Sequence, residues 1–259
     1  MHLSASCSGN GLSLLFLHAF PLNRRMWEAQ ISELSGKYQV IAPDLPYFGE
    51  SILAEYGNNS NSMEGCADAV SGLLDEMNLS NTVICGISMG GYIAFELWRK
   101  YPQKINALIL ADTRAEGDSP EARQNRRRQI ALIKEGKQKE VVGALTDKLV
   151  SDHTKRTSPG IFESVRRMAS GAAPEALIPT IEGLAGRRDS TTLLHTINVP
   201  TLIIVGEDDA LTPPSASVAM HKKIKNSELC IMPRAGHLSP MEDPAYFNEY
   251  VNTFLAKIS

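Results

Sequence analysis

The feature that most restricts this chain is the run Thr82-Val83-Ile84-Cys85-Gly86-Ile87-Ser88-Met89-Gly90-Gly91. It is a G-x-S-x-G pattern with one extra glycine, entered from an apolar, β-prone stretch and left through a helix-like one from Tyr92 to Lys100. Taken alone the pattern is weak, because at ordinary glycine and serine frequencies roughly one chain in ten of this size carries it by chance. Its setting gives it meaning. A strand that turns abruptly into a helix presents a serine hydroxyl at a strained bend, and glycines are required where side chains would collide across the turn. The helix start behind the serine offers free N–H groups and a positive dipole end, both suited to a developing oxyanion. A plain Gly/Ser loop between core elements would share the five residues and lack the rest of a catalytic apparatus.

That apparatus follows downstream. Val199-Pro200-Thr201-Leu202-Ile203-Ile204-Val205-Gly206 reads as a strand ending at a glycine, followed by Glu207-Asp208-Asp209 and Ala210-Leu211-Thr212-Pro213-Pro214. A carboxylate just past a strand end is well placed to orient an imidazole. Ser227 to Met232 reads as a further strand, and Pro233-Arg234-Ala235-Gly236-His237 then carries a histidine into a loop before a helix opening around Pro240 to Pro244. A lone loop histidine is ordinarily a surface residue, and a lone Asp209 a turn carboxylate. Serine, acid and histidine at three strand ends, in that order, point instead to nucleophilic catalysis. Asp209, its neighbour Asp208, and Asp112 after the apolar run 106–111 all stand as candidates for the acid.

Apolar runs at 12–17, 40–42, 82–87, 106–111, 201–205 and 227–232 alternate with amphipathic stretches near 24–36, 63–77, 90–100, 214–223 and 244–257. This alternation predicts an α/β fold with a mostly parallel central sheet flanked by helices. Near-continuous apolar runs such as Ala107-Leu108-Ile109-Leu110-Ala111 fit strands covered on both faces. The interval 114–190 breaks the alternation. It is charged, helix-rich and without strong strand runs, with helices expected over Glu121 to Glu135, Lys137 to Ser151 and Ile161 to Gly171. The expected division is a core of 1–113 and 191–259 with a helical cap at 114–190 that walls the pocket and excludes water. Asp118-Ser119-Pro120-Glu121 predicts a helix entry with Ser119 as N-cap and Pro120 at the first helical position. Arg126-Arg127-Arg128 reads as a solvated helix face, with steering of an anionic substrate as the sharper alternative.

With these motifs in view, the chain resembles the α/β-hydrolase superfamily nearly end to end. Leu12-Ser13-Leu14-Leu15-Phe16-Leu17-His18-Ala19-Phe20-Pro21-Leu22-Asn23 resembles the family's apolar strand and oxyanion loop. Val40-Ile41-Ala42-Pro43-Asp44-Leu45-Pro46-Tyr47-Phe48-Gly49-Glu50-Ser51 resembles the next strand and its D-x-P-G-x-G-x-S loop. Within the superfamily it looks most similar to small esterases and lactonases of the 3-oxoadipate enol-lactonase type. The resemblance implies Ser88 as nucleophile, His237 as base and Asp209 as the acid, because the spacing of Asp209 from Gly206 and Thr212-Pro213 matches the family. It also implies an oxyanion hole from the backbone N–H groups of Phe20 and Met89, and a structural role for His18. Phe20, Met89, Trp27, Tyr47 and Tyr92 are expected to line the acyl pocket. Three departures stand out: Ala19 and Tyr47 occupy positions where the family has glycine, and few residues precede Leu12. The N-terminal hairpin is therefore expected to be shortened, with the first strand missing or reduced to a stub from His2 to Ser6.

The expected reaction is hydrolysis of a small-molecule carboxylic ester or lactone through an acyl-enzyme, with neither metal nor organic cofactor. Carbon–carbon bond hydrolysis, perhydrolysis, acyl transfer to another acceptor and a non-catalytic receptor role are the alternatives on the same fold. Serine at position 88 argues against dehalogenase and epoxide-hydrolase chemistry, which use an aspartate nucleophile. Composition bounds the rest. At 259 residues and 43% hydrophobic the chain can bury one large core. A net charge of −3 without a basic, aromatic-laced stripe argues against a nucleic-acid partner. Apolar runs stay below 18 residues, so no membrane span or secretory leader is expected. Cys85 and Cys230 fall in strands and read as buried thiols of a cytoplasmic, reducing environment. A monomer or homodimer is expected.

Overall fold

Strands form where the apolar runs lie because side chains buried on both faces leave no place for polar alternation. In the computed structural model, which describes residues 3–51 and 61–258, these strands are β1 (Ala5–Ser8), β2 (Ser13–Leu17), β3 (Gln39–Pro43), β4 (Thr82–Ile87), β5 (Ile105–Ala111), β6 (Thr201–Gly206) and β7 (Ser227–Met232). They form one sheet in the order β1-β3-β2-β4-β5-β6-β7. Every neighbouring pair is parallel except β1 with β3. The central strands β2, β4 and β6 are buried along their whole length.

The first strand is present, displaced from the expected stub. It runs from Ala5 to Ser8 and pairs antiparallel with β3, Ala5 opposite Pro43 and Ser8 opposite Val40. His2 lies outside the described residues. Gly9 at φ +80° turns the chain from β1 towards β2, and a Cβ there would sit 2.1 Å from the Tyr38 carbonyl oxygen. Only glycine can serve at that corner.

Helices cover both faces. They are α1 (Glu28–Leu34), α2 (Met63–Glu76), α3 (Met89–Lys100), α9 (Pro214–Lys223), α10 (Ser239–Glu242) and α11 (Pro244–Leu255). Helix α3 is buried from Met89 to Trp98 because it is packed between the sheet and α2. Helix α1 packs on α11, and α9 on β6 and β7. Between β5 and β6 come α4 (Pro120–Lys134), α5 (Gln138–Thr146), α6 (Asp152–Thr157), α7 (Pro159–Ser170) and α8 (Pro174–Gly186). The Ser119 hydroxyl caps α4 by accepting from the Ala122 N–H at 3.2 Å, with Pro120 at its first position. Helices α6 and α8 escaped the sequence reading. The first is only 6 residues long, and Pro179 inside α8 disguises a helix whose inner face is buried.

The strand order reverses direction between β2 and β4: the chain leaves β2 towards β3 and returns to the other side. At such a switch point the loops after two adjacent parallel strands part and leave a crevice at their C-terminal ends. Ser88 follows β4 and Phe20 lies just beyond β2, so both border that crevice.

Candidate active site

The turn after β4 is built as the glycine pattern requires. Ser88 adopts φ 51° and ψ −112°, a conformation costly for a residue with a Cβ. Crowding holds it there. A Cβ on Gly86 would meet the Gly90 carbonyl oxygen at 2.3 Å, and one on Gly90 would meet that of Leu17 at 2.2 Å. The Ser88 N–H donates to Ala111 O at 3.0 Å, and the Thr113 hydroxyl donates to Ser88 O at 2.9 Å. The elbow is thus pinned to the end of β5.

Because β4, β6 and β7 are parallel, the loops after all three open on the same edge of the sheet. Ser88 Oγ lies 2.8 Å from His237 Nε2, and His237 Nδ1 lies 2.8 Å from Asp209 Oδ2. His237 and Asp209 are both buried, whereas Asp208 is exposed. Burial would raise the Asp209 carboxyl, but the adjacent His237 and hydrogen bonds from Thr212 hold it below the usual carboxylate range. Those bonds are the Thr212 hydroxyl to Oδ2 at 2.6 Å and the N–H groups of Leu211 and Thr212 to Oδ1 at 2.8 and 2.9 Å. An ionised Asp209 accepts only, so Nδ1 of His237 carries the proton. Nε2 is left free to accept from the Ser88 hydroxyl.

Asp112 has a different place. Its Oδ1 accepts the Gly206 N–H at 2.8 Å, and its Oδ2 accepts the Ser239 N–H at 3.2 Å and the Ser239 hydroxyl at 2.5 Å. It ties the end of β6 to the residues after His237 without touching the imidazole. Complete burial, with Asp209 nearby as the second cause, pushes its carboxyl well above the usual range.

The N–H groups of Phe20 and Met89 have no acceptor among the described residues, and both residues border the cavity at Ser88. His18 is fully buried and holds the Phe20 loop. Its Nε2 accepts the Leu45 N–H at 2.9 Å and its Nδ1 donates to Ala19 O at 3.0 Å. Burial pulls its pKa down to about 4, so the ring is neutral. Ala19, standing where the resemblance expects glycine, has no positive φ, so the loop forms without glycine's freedom there. Tyr47 does adopt φ 75°, so a bulky side chain occupies a left-handed corner.

The cavity has a volume of about 240 Å³. Ser88, Met89, Tyr92 and His237 line it from the loops at the strand ends and the start of α3, and Ala122, Arg126, Leu145, Leu149 and Leu184 from the segment between β5 and β6. Two residues expected to line it lie elsewhere. Trp27 is fully buried in the core, with ring centroids 4.8 Å from Phe16 and 6.1 Å from Phe247. Tyr47 lies beside a separate depression bordered by Pro21, Asn23 and Met168. Trp27 is close in sequence to the Phe20 loop and Tyr47 follows the neighbouring strand β3, and position along the chain says little about which way a side chain faces.

The sequence reading missed the charged wall of the cavity. Asp118, read as part of a helix entry, is buried and paired with Arg126 Nε at 2.6 Å, Arg114 Nη2 at 3.3 Å and Arg187. The available signal was the run Arg126-Arg127-Arg128, of which only Arg126 reaches the cavity while Arg127 and Arg128 are exposed. Cys66, Cys85 and Cys230 are buried and Cys7 is exposed, and all four are free thiols. Among the described residues no helix is long and apolar enough to cross a membrane.

A family model described as alpha/beta hydrolase fold matches residues 13–244. A pimeloyl-[acyl-carrier protein] methyl ester esterase of Neisseria meningitidis is 30% identical over 227 residues, covering 85% of this chain and 84% of the relative. The 3-oxoadipate enol-lactonase 2 of Acinetobacter baylyi is 26% identical over 247 residues, covering 95% and 90%. Among solved structures, a thermophilic esterase from Thermogutta terrifontis, with malate bound, superposes with a TM-score of 0.94 at 40% identity, covering 99% of this chain and 93% of that one.

Proposed function

The chain belongs to the α/β-hydrolase fold family, and from that premise we propose that it is a serine hydrolase that cleaves carboxylic esters or lactones through an acyl-enzyme. The observation that carries the proposal is the unbroken relay of Ser88 Oγ to His237 Nε2 at 2.8 Å and His237 Nδ1 to Asp209 Oδ2 at 2.8 Å. Ser88 Oγ attacks the carbonyl carbon while His237 Nε2 takes its proton. Asp209 holds the imidazole in the required tautomer and stabilises the imidazolium. The carbonyl oxygen becomes an oxyanion held by the N–H groups of Phe20 and Met89, which have no other acceptor among the described residues. His237 then passes its proton to the leaving alkoxide. A water, deprotonated by the same nitrogen, attacks the acyl carbon and releases the acid and Ser88.

In this reading residues 1–113 and 191–259 form the catalytic core and 114–190 a cap, supported by the lining that Arg126, Leu145 and Leu184 supply. Tyr92 serves the substrate pocket, and Trp27 and Tyr47 do not. The esterase and lactonase names of the relatives support the reaction class.

Initial rates on short- and medium-chain 4-nitrophenyl esters and a small lactone panel, with Ser88→Ala alongside, test the proposal. Turnover by the wild type that disappears in Ser88→Ala is expected. A folded wild type without turnover on any of them would remove it.

A further inference from the structure

We infer that the substrate of this site carries a carboxylate as well as the scissile ester or lactone, and that Arg126, Arg114 and Lys148 receive it. The inference rests on the hydrolase reading of Ser88 and deepens it.

Charge in the cavity wall is unequal. Arg114, Arg126 and Lys148 border the space above Ser88, and Asp118 is the one carboxylate that borders it among the described residues. Asp118 cannot balance all three, because its single charge is shared among Arg126, Arg114 and Arg187. It is buried, and Arg187, itself buried, pairs with it from behind the cavity while the Arg187 guanidinium stacks 4.2 Å above the Tyr92 ring. Arg126 spends only Nε on Asp118, at 2.6 Å, and its Nη groups have no acceptor among the described residues. Arg114 reaches Asp118 through Nη2 at 3.3 Å, and its Nε is buried without an acceptor. Lys148 is an exposed residue at the rim of the cavity, and its ammonium has no ion pair or hydrogen bond among the described residues.

Unfilled guanidinium donors in a partly closed cavity are costly to leave dry and strong when filled by a carboxylate, whose two oxygens match the guanidinium fork. The three cations come from three separate places: the loop after β5, helix α4 and the turn after α5. Their convergence is therefore tertiary and not the by-product of one charged helix face. Arg127 and Arg128, the next residues of α4, do not border the cavity. A neutral ester would leave this wall uncompensated, whereas a half-ester of a dicarboxylic acid, or a lactone bearing a carboxylate, fills it.

The test compares monomethyl glutarate with methyl 5-oxohexanoate, a neutral ester of equal length, in wild type, Arg126→Gln and Lys148→Gln. The wild type is expected to favour the anionic ester in kcat/KM by roughly tenfold or more, as a charge-assisted hydrogen bond allows. Each variant is expected to shrink that ratio, and added salt to shrink it in the wild type. Lys148→Gln removes no side-chain hydrogen bond or ion pair among the described residues, so it decides the matter even if Arg126→Gln folds poorly. A wild-type ratio near one that neither variant moves overturns the inference. If neither methyl ester is turned over, calorimetry with glutarate decides: binding weakened in the variants upholds the inference, and no binding overturns it. Turnover of 4-nitrophenyl acetate, lost in Ser88→Ala, separately tests the hydrolase reading, so the two can fail independently.

Discussion

The Glu242 carboxylate brackets His237: its Oε1 accepts the N–H of Gly236 at 2.9 Å on one side and of Leu238 at 3.3 Å on the other. Its Oε2 accepts the Ser151 N–H at 3.0 Å, so the same side chain joins the histidine loop to the helical segment that borders the cavity. Backbone amides left without acceptors at a partly buried site lose their pairing energy and free the loop. Glu242→Ala is expected to destabilise the protein by about 1–2 kcal/mol. It should lower kcat more than it raises KM, because the imidazole is displaced while the cavity wall persists. Urea unfolding with steady-state kinetics checks both; an unchanged kcat would show that His237 is held by other contacts.

Two carboxylates lie near the imidazole's side of the sheet, and the structure separates their tasks. Asp209 touches His237 at 2.8 Å, and among the described residues the Asp112 carboxylate is hydrogen-bonded to Gly206 and Ser239 and not to His237. Asp209→Asn is expected to lower kcat by roughly 10⁴-fold through the wrong tautomer, and Asp112→Asn by far less. Ser88→Ala is expected to abolish turnover while the fold persists. If Asp112→Asn were the inactive variant, the acid would have to be reassigned.

The pH dependence of stability carries three signatures. His18 has a folded pKa of about 4 against 6.5 unfolded. The unfolded chain therefore binds the proton first, and stability is lost as pH falls through that window, by up to about 3 kcal/mol. The Asp209 carboxyl, held low in the fold, contributes stability that is lost as pH falls through its folded value. Asp112, held high, acts in the opposite sense: stability falls as pH rises from the unfolded carboxylate range to its folded value. Unfolding free energies from pH 4 to 7 should show a flatter slope in His18→Gln and a steeper rise with pH in Asp112→Asn.

Glycines of this chain differ in consequence. Gly90→Ala would set a Cβ 2.2 Å from Leu17 O, which is backbone and cannot yield without moving β2. It is expected to cost about 3 kcal/mol and to distort the Ser88 turn. Gly72, inside α2, has nothing within 4 Å of the same added atom. Gly72→Ala is expected to stabilise by about 0.5–1 kcal/mol without affecting turnover. Thermal melts of the pair provide the check.

The local pattern of the chain determined the order of its main strands and helices, because apolar period and turn chemistry act over a few residues; α6 and α8 were the exceptions. Runs such as 82–87 and 227–232 and the helix 214–223 could be read directly. So could the glycine-lined turn at Ser88, since the strain and crowding it needs are written in adjacent residues. Three decisions belonged to the tertiary structure. The choice of Asp209 over Asp208 and Asp112 as the partner of His237 depends on which way each carboxylate faces once β6 and β7 lie side by side. The burial of Trp27 against Phe16 and Phe247 depends on a helix more than 200 residues away in sequence. The charged wall of Arg114, Asp118, Arg126 and Lys148 arises where separate segments meet, and no periodicity records it. Local sequence sets the elements; the direction of a side chain relative to a distant one is set only when the sheet and the helices over it pack.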